Sequence, residues 1–126
     1  RNHDEAAFWL RLLDGSLPFP PPQPPFVLLG DANLDPARSE GRPAALNALL
    51  ALPALQDPAP TGAAGAATAE FTGEGQPGRM RADYVLPSAD LRIIGAGVLW
   101  PPEGDALLPA VLAASRHRLV WVDIAR

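Results

Sequence analysis

The apolar residues near the start of the chain recur at a helical period. Phe8, Trp9, Leu12 and Leu13 form a stripe that ends near Gly15. Three or four residues separate neighbours on one face of a helix, so this spacing predicts a helix in the first fifteen residues.

Two other sequence features concern helices. Glu5 follows Asn2 by three residues, which predicts a capping box at the start of the first helix. A second helix is predicted over residues 43–52, with Pro43 in its first turn. The apolar face of this second helix consists of Leu46, Leu49 and Leu50.

Short apolar runs predict several strands. Residues 26–30 are wholly apolar, as expected of a strand that is buried on both faces. Residues 80–86 and 91–99 predict two further strands, and residues 87–90 between them predict a hairpin turn. The last predicted strand covers residues 119–124. The Val, Ile, Leu and Trp content of these final strands predicts burial on both sides.

Proline and small residues define the connections. Residues 16–25 (SLPFPPPQPP) predict an extended, proline-rich connector, because proline lacks an N–H donor and fixes φ. The same stretch could alternatively be a polyproline ligand of a recognition domain. Residues 57–78 predict a long surface loop, and residues 105–114 predict either a helical turn or irregular chain, since Pro109 disfavours a regular helix. Together the elements predict an α/β (α+β) fold, a mixed sheet of four or more strands with helices on one face.

Composition excludes several classes of function. The chain has 126 residues, a net charge of −4 and no Lys, which disfavours a dedicated nucleic-acid binder. The absence of Cys excludes disulfides, thiolate metal sites and cysteine nucleophiles. No apolar run reaches membrane-spanning length. The chain starts with Arg1 and Asn2 and has no signal-peptide pattern, which suggests a fragment from which any targeting segment would be absent.

Polar residues occur at the ends of the predicted strands. Asp31 and Asn33 follow the first strand, Asp83 lies in the second, and His117 precedes the last. These residue types suit phosphoester hydrolysis, since an ionised Asp can activate water and a His held by a carboxylate can stabilise charge on phosphorus. Each residue also has a structural alternative: an Asx turn at Asp31, a surface position for Asp83 and a packing role for His117.

The spacing of Asp31, Asn33 and Asp35 also resembles the start of a calcium-binding EF-hand loop. That loop needs Gly at its sixth position and Glu at its twelfth. This chain has Pro36 and Arg42 there, so the sequence excludes an EF-hand.

Three segments together resemble the endonuclease/exonuclease/phosphatase family. Residues 30–33 (GDAN) are similar to its G-D-x-N signature, residues 81–86 (RADYVL) to its R-x-D-Y strand, and residues 115–120 (SRHRLV) to its closing S-D-H segment. The order and spacing also agree. The resemblance implies that the chain, residues 1–126, is the C-terminal part of such a domain, one half of a four-layer α/β/β/α sandwich.

The resemblance also implies roles for the matched residues. Asp31 would activate the attacking water and Asn33 would hold the scissile phosphate. Asp83 would fix the tautomer of His117, and His117 would contact the phosphate and stabilise the transition state. It further implies a divalent metal, Mg²⁺ first and Mn²⁺ or Ca²⁺ as alternatives, with Asp31 as one ligand.

Two departures from the family pattern affect these expectations. Arg116 stands where the family has Asp beside the final His, so metal binding should weaken, and Arg116 should instead bind phosphate or form a structural ion pair. The metal-binding residues of the family's N-terminal half have no counterpart before Phe26. Only the first helix, residues 1–5, resembles a segment of some exported members.

These observations predict the C-terminal fragment of a metal-dependent phosphodiesterase, nuclease or phosphatase that is inactive alone. The alternative is a non-catalytic descendant that binds a phosphorylated ligand or a protein partner. The expected partners are a phosphoester substrate and the missing N-terminal half. Self-association of the fragment, as a homodimer or a swapped assembly, is also predicted. The resemblance of the first helix favours a secreted or periplasmic location.

Overall fold

The computed structural model describes residues 1–38 and 42–125. The helices are α1 (Asn2–Leu13), α2 (Ala44–Leu50) and α3 (Leu108–Ala114), and the strands are β1 (Val27–Asp31), β2 (Ala69–Phe71), β3 (Gly78–Met80), β4 (Asp83–Pro87), β5 (Arg92–Val98) and β6 (Val120–Ala125). This order confirms the predicted α+β class. Within the described ranges the strands pair as three two-stranded antiparallel sheets, β1–β4, β2–β3 and β5–β6, rather than as the single mixed sheet expected. None of the described helices is long and apolar enough to span a membrane.

The main core lies between two helices and one face of the β1–β4 pair. Helices α1 and α2 pack against each other, and apolar side chains of β4 complete the cluster. Its buried members are Ala6, Leu34, Ala45, Leu46, Leu49, Leu55, Tyr84 and Leu86. The prediction that Leu46 and Leu49 point inward from the second helix is therefore confirmed.

The face of helix α1 that packs against this core differs from the predicted face. Ala6, Leu10 and Leu13 contact the core, at the i, i+4, i+7 spacing of one helix face. Phe8 and Trp9, expected inside, are exposed and pack edge-to-face on each other with ring centroids 5.4 Å apart. The small Ala6 lies on the buried side, so the bulky aromatic residues point outward.

The predicted capping box is also wrong. Arg1 is the N-cap residue and forms no side-chain cap, while Asn2 is already helical. Glu5 accepts a hydrogen bond from Arg1 Nε at 3.1 Å instead. Asn2 Nδ2 donates to the carbonyl oxygen of Asn33 at 3.3 Å, which joins the start of α1 to the loop after β1.

The predicted burial of both strand faces is wrong. Leu28 packs against the helices, but Val27 is exposed and Leu29 on the same face is 67% exposed. On β6, Trp121 remains 42% exposed, and Leu119 just before the strand is exposed as well. Successive strand residues point to opposite faces, and α1 and α2 cover only one face of β1–β4. An apolar strand surface therefore faces solvent.

Residues 57–78, predicted as surface loop, contain part of a buried hairpin. Strand β2 pairs with β3, and Thr68 and Ala69 are completely buried. The Ala- and Gly-rich composition of this segment hid the strand, because Ala contributes little to an apolar pattern. Met80, predicted in the same strand as Asp83, ends β3. Residues 16–25 contain no helix or strand, and α3 lies within the segment where a helical turn was one of two expectations.

The hairpin predicted at residues 87–90 does not form. Strand β4 pairs with β1, and β5 pairs with β6. Ser88 extends the β1–β4 ladder, because its N–H donates to the Phe26 carbonyl at 2.9 Å and its Oγ accepts from Phe26 N–H at 3.1 Å. The Gln56 side chain then donates to the carbonyls of Ser88 and Leu91, at 2.9 and 2.7 Å. A tight turn is present at residues 88–91, because the Leu91 N–H donates to the Ser88 carbonyl at 3.0 Å, but the two strands that it joins pair with other partners.

A partly buried ion pair, in which Arg81 is the buried partner, holds the segment just before β4. The Arg81 guanidinium donates two hydrogen bonds to the Asp57 carboxylate at 2.6 and 2.8 Å, and it lies 4.5 Å from the Tyr84 ring centroid. Burial alone would raise the pKa of Asp57, but hydrogen bonds from Arg81 and from the Ala59 N–H outweigh it and lower the pKa below 3.8. Burial also raises the pKa of Tyr84, whose hydroxyl donates to the Leu34 carbonyl at 2.8 Å.

This ion pair predicts a stability loss in the Asp57→Asn variant. Without the carboxylate the Arg81 charge stays buried and unpaired, which should cost about 3 kcal/mol in the free energy of unfolding measured by urea denaturation. The exposed pair of Glu70 and Arg79 provides the control, and Glu70→Gln should cost no more than about 1 kcal/mol. Equal losses in the two variants would contradict the assignment.

The same pair predicts how stability depends on pH. The folded-state pKa of Asp57 lies below its ordinary value, so its contribution is present above pH 3.8 and disappears as the pH falls through the folded-state pKa. The unfolding free energy of the wild-type chain should therefore fall more steeply in acid than that of Asp57→Asn.

Candidate functional site

The β1–β4 register places two carboxylates side by side. Asp31 ends β1, Asp83 begins β4, and the two residues are direct partners in the antiparallel ladder. Side chains that are directly opposite in such a ladder share one face of the sheet. Asp31 and Asp83 therefore point to the face that α1 and α2 leave open.

His117 reaches this face from the segment before β6. A backbone bridge to Ala69 holds His117 beside β2, and the Phe71 ring packs edge-to-face on the imidazole at 5.5 Å. His117 Nδ1 lies 3.0 Å from both carboxylate oxygens of Asp83. Its Nε2 lies 3.9 Å from Asp31 Oδ2. With Asp83 as acceptor, Nδ1 carries the proton and Nε2 is directed towards Asp31.

Asn33 interacts directly with Asp31. The Asn33 backbone N–H donates to Asp31 Oδ1, and its side-chain Nδ2 donates to Oδ2, both at 2.9 Å. Asn33 has a positive φ of 48°, which Asn tolerates better than most residues. The Asx turn considered from the sequence is thus present, and it holds the Asp31 carboxylate beside His117.

Thr68 is a site residue that the sequence patterns did not reveal. Its Oγ1 accepts hydrogen bonds from the backbone N–H groups of Ala82 and Asp83, each at 2.9 Å. Oγ1 also donates to Asp83 Oδ2 at 2.7 Å. A hydroxyl has one proton, so the two N–H donors direct that proton to Asp83. Nothing in the Ala/Gly-rich segment around Thr68 distinguishes it from the other threonines nearby.

Arg116 lies next to the site but its side chain is exposed. Its backbone carbonyl accepts a hydrogen bond from Glu70 N–H at 2.9 Å. Within residues 1–38 and 42–125, no carboxylate lies within ion-pair distance of its guanidinium. The structural ion pair considered for Arg116 is therefore absent from this part of the chain.

Two carboxylates and one imidazole form a cluster of possible metal-ligand atoms. One ligand atom each from Asp31, Asp83 and His117 lies within 4.8 Å of the others. The Asp31 side chain is 42% exposed, compared with 28% for His117 and 18% for Asp83. Carboxylate oxygens and imidazole nitrogen are ligands of divalent cations, so the cluster is a candidate metal centre that opens through Asp31.

Removal of the Thr68 hydroxyl predicts a measurable loss of stability. Thr68→Val keeps the buried volume but leaves two N–H groups without an acceptor and removes the hydroxyl donor of Asp83, which keeps only His117 Nδ1. The expected cost is about 1–3 kcal/mol in the free energy of unfolding, and Thr68→Ser should cost less. The exposed Thr72 is the control, and Thr72→Val should change stability by at most about 0.5 kcal/mol. Equal stability of Thr68→Val and Thr72→Val would contradict the hydrogen-bond arrangement.

Comparison with known proteins agrees with the resemblance seen in the sequence. The family model of the Endonuclease/Exonuclease/phosphatase family matches residues 1–117 of this chain. No curated protein and no solved structure matches it. The matched range contains Asp31, Asn33, Asp83 and His117 and covers most of the 126 residues. The chain therefore belongs to the endonuclease/exonuclease/phosphatase family.

Proposed function

We propose that this chain carries one part of a phosphoester-hydrolysing site, in which activated water attacks phosphorus in line. The family consists in general of metal-dependent phosphoester hydrolases. The observation that carries the proposal is the convergence of Asp31 and His117 on one another, with Asp83 behind the imidazole. The proposed substrate is a phosphomonoester or a phosphodiester, and a nucleic acid is one such phosphodiester.

Asp31 is proposed to orient and deprotonate the attacking water. It is the most exposed acidic group of the cluster, so water and substrate can reach it. The two hydrogen bonds from Asn33 fix the direction of its carboxylate. Positioned general bases contribute about 10²–10⁴ to rates, which is the scale of effect assigned to this carboxylate.

His117 is proposed to meet the negative charge that develops on the phosphate. The carboxylate of Asp83 orients the ring, and Thr68 orients the carboxylate. When the ring is protonated on both nitrogens, the Nε2–H group can donate to a phosphoryl oxygen. Such a His–carboxylate arrangement fixes both the tautomer and the direction of the ring.

Asn33 is proposed to hold the scissile phosphate. One N–H of its amide group is used by Asp31, and an amide group has two. The second can donate to a phosphoryl oxygen without adding negative charge to the site.

A divalent ion, Mg²⁺ with Mn²⁺ or Ca²⁺ as alternatives, is proposed to bind at Asp31. The donor fits, because carboxylate oxygens are preferred ligands of these cations and the Asp31 carboxylate is the more exposed of the two in the cluster. Bound there, the ion would neutralise charge on the phosphoryl group. The remaining ligands are proposed to come from the N-terminal half of the domain.

The exposed apolar surface on β1 and β6 supports the proposal that this chain is one half of a larger domain. Leu29 and Trp121 lie on strand faces that α1 and α2 do not cover. We propose that residues 1–126 form the C-terminal part of the domain and that a second half covers this surface. A secreted or periplasmic location remains a prediction from the first helix.

A second candidate function is a non-catalytic one, binding of a phosphorylated ligand or a protein partner. The exposed Arg116 beside His117 favours it, because it adds positive charge where the family's Asp would bind metal. Activity assays of the full-length protein separate the two candidates.

The hydrolase proposal predicts large activity losses in two variants. Asp31→Ala and His117→Ala should each lower kcat/KM at least about 100-fold for the p-nitrophenyl phosphate esters, assayed in the full-length protein with Mg²⁺, Mn²⁺ or Ca²⁺. Activity should also disappear when the metal is chelated. His3→Ala and Asp123→Ala are the matched controls, since neither residue belongs to the cluster of Asp31, Asp83 and His117. Near-normal turnover in either site variant would refute the role given to it.

Substitution of Arg116 predicts a change in metal affinity. Arg116→Asp replaces a positive charge next to His117 by a carboxylate, so the Mg²⁺ concentration for half-maximal activity should fall at least about tenfold. If the wild-type protein is inactive and Arg116→Asp is active, the metal site has degenerated. Arg92→Asp, an exposed position on β5, makes the same charge change away from the site. An equal shift in Arg92→Asp would show that only net charge matters.

A further inference from the structure

Arg118 is buried without an acidic partner. It is 6% exposed, about as buried as Arg81. Arg81 pairs with Asp57, whereas no carboxylate among the residues that the structure describes lies within ion-pair distance of the Arg118 guanidinium. Its Nε also has no hydrogen-bond partner among them. A charge that is taken out of water without a counter-ion destabilises the fold, so other contacts have to compensate.

The indole ring of Trp100 supplies one of these contacts. Arg118 Cζ lies 4.6 Å from the ring centroid, which is a cation–π distance. Trp100 is itself buried, and its carbonyl accepts a hydrogen bond from Ala63 N–H at 2.9 Å. Gly62 packs so closely that a Cβ there would come within 2.9 Å of the Trp100 Cβ. The guanidinium therefore rests on an aromatic ring that the surrounding chain holds in place.

The backbone around His117 is bonded to β2 on one side. Glu70 N–H donates to the Arg116 carbonyl at 2.9 Å, and Arg118 N–H donates to the Thr68 carbonyl at 2.7 Å. In an antiparallel ladder the residue between two such bonds turns its own N–H and C=O away from the partner strand. The N–H and C=O of His117 therefore need partners on the side away from β2.

The Arg118 side chain provides the donor on that side. Its Nη1 donates to the carbonyl of Ser115 and, at 3.3 Å, to that of His117. The His117 N–H donates to Ser115 Oγ at 3.0 Å. Within the described ranges no other donor reaches these two carbonyls. The guanidinium thus takes the place of a neighbouring strand beside His117.

We propose that Arg118 is a positioning residue of the proposed hydrolytic site. The guanidinium is held against Trp100 and fixes the carbonyls of Ser115 and His117. The fixed main chain then places the imidazole against Asp83. His117 Nδ1 lies 3.0 Å from both oxygens of that carboxylate, and a shift of about 1 Å would take it beyond hydrogen-bond distance. The inference rests on the role proposed for His117 in hydrolysis, but the placement of the ring is measurable without turnover.

Arginine suits this position better than lysine. A guanidinium is planar, stacks on aromatic rings and carries its N–H donors in a fixed geometry, whereas an ammonium is a compact and strongly hydrated charge. Here one nitrogen serves two carbonyls while the guanidinium carbon lies over the indole ring. Arg118→Lys should therefore disturb the His117 ring although it keeps the positive charge.

Nitrogen-15 NMR of the imidazole tests the proposal without an activity assay. The chain has two His residues, so in a His3→Ala background every imidazole signal belongs to His117. At a pH where the ring is neutral, this background should show the Nδ1–H tautomer, because Asp83 accepts that proton. Arg118→Met keeps an apolar side chain of similar length and removes the guanidinium. The ratio of the Nδ1–H to the Nε2–H tautomer should then fall at least about tenfold, the scale of one lost hydrogen bond.

Arg79→Met is the matched control for this measurement. The Arg79 guanidinium also lies over Trp100, 5.2 Å from the ring centroid, but it forms no hydrogen bond with Ser115 or His117 among the described residues. The tautomer ratio should therefore stay at the wild-type value in Arg79→Met. An unchanged ratio in Arg118→Met overturns the proposal, and so does an equal fall in both variants. If Arg118→Met does not fold, Arg118→Lys decides, and a wild-type ratio in the folded Arg118→Lys chain overturns the proposal.

Kinetics of the full-length protein test the consequence for hydrolysis. With the p-nitrophenyl phosphate esters, Arg118→Lys should lower kcat at least about tenfold and change KM by less than about twofold, because a misplaced His117 affects the transition state more than substrate binding. Arg79→Met should leave both constants unchanged. A normal kcat in Arg118→Lys overturns the positioning role. If the wild-type protein has no activity, the hydrolase proposal fails, and the tautomer ratio still decides whether Arg118 places the ring.

Discussion

The antiparallel register of β1 and β4 is the constraint on which the site depends. It sets Asp31 opposite Asp83, while Tyr84 and Leu86 point to the helices on the other face. The side-chain period of a strand is two, so a slip by one residue would turn Asp83 into the core and Tyr84 to solvent. The buried hydroxyl of Tyr84, bonded to Leu34, makes that slip unfavourable.

Two neighbouring carboxylates repel each other unless donors compensate them, and here each has its own set. Asp31 receives two hydrogen bonds from Asn33. Asp83 receives one from Thr68 and interacts with His117 Nδ1. The more buried carboxylate, Asp83, thus has hydrogen-bond partners from distant parts of the chain. Among the described residues, the more exposed one, Asp31, is hydrogen-bonded only within its own Asx turn. This asymmetry is consistent with the proposed division of roles, in which Asp83 would position His117 and Asp31 would face the substrate.

The sequence predicted which residues converge at the ends of β1 and β4 better than it predicted their surroundings. Asp31, Asn33, Asp83 and His117 stand out because strand ends and motif order mark polar residues among apolar ones. Thr68 does not stand out, because its importance arises from tertiary contacts with backbone groups fourteen and fifteen residues away. Local periodicity contains no information about such contacts. The helices and most strands were predictable for the opposite reason, since their apolar spacing is local.

The errors in predicted burial have a physical cause that bears on the assembly. An apolar run such as residues 26–30 predicts a strand whose two faces are both buried. In the described chain, α1 and α2 bury only one face of this strand. The uncovered apolar surface includes the side chains of Leu29 and Trp121. The backbone groups of β1 that have no partner among the described residues lie along the edge that does not face β4. Side chains on a face need a packed layer, whereas an edge needs a hydrogen-bonded strand. The two requirements are separate, and within the described residues β1 leaves both of them unmet.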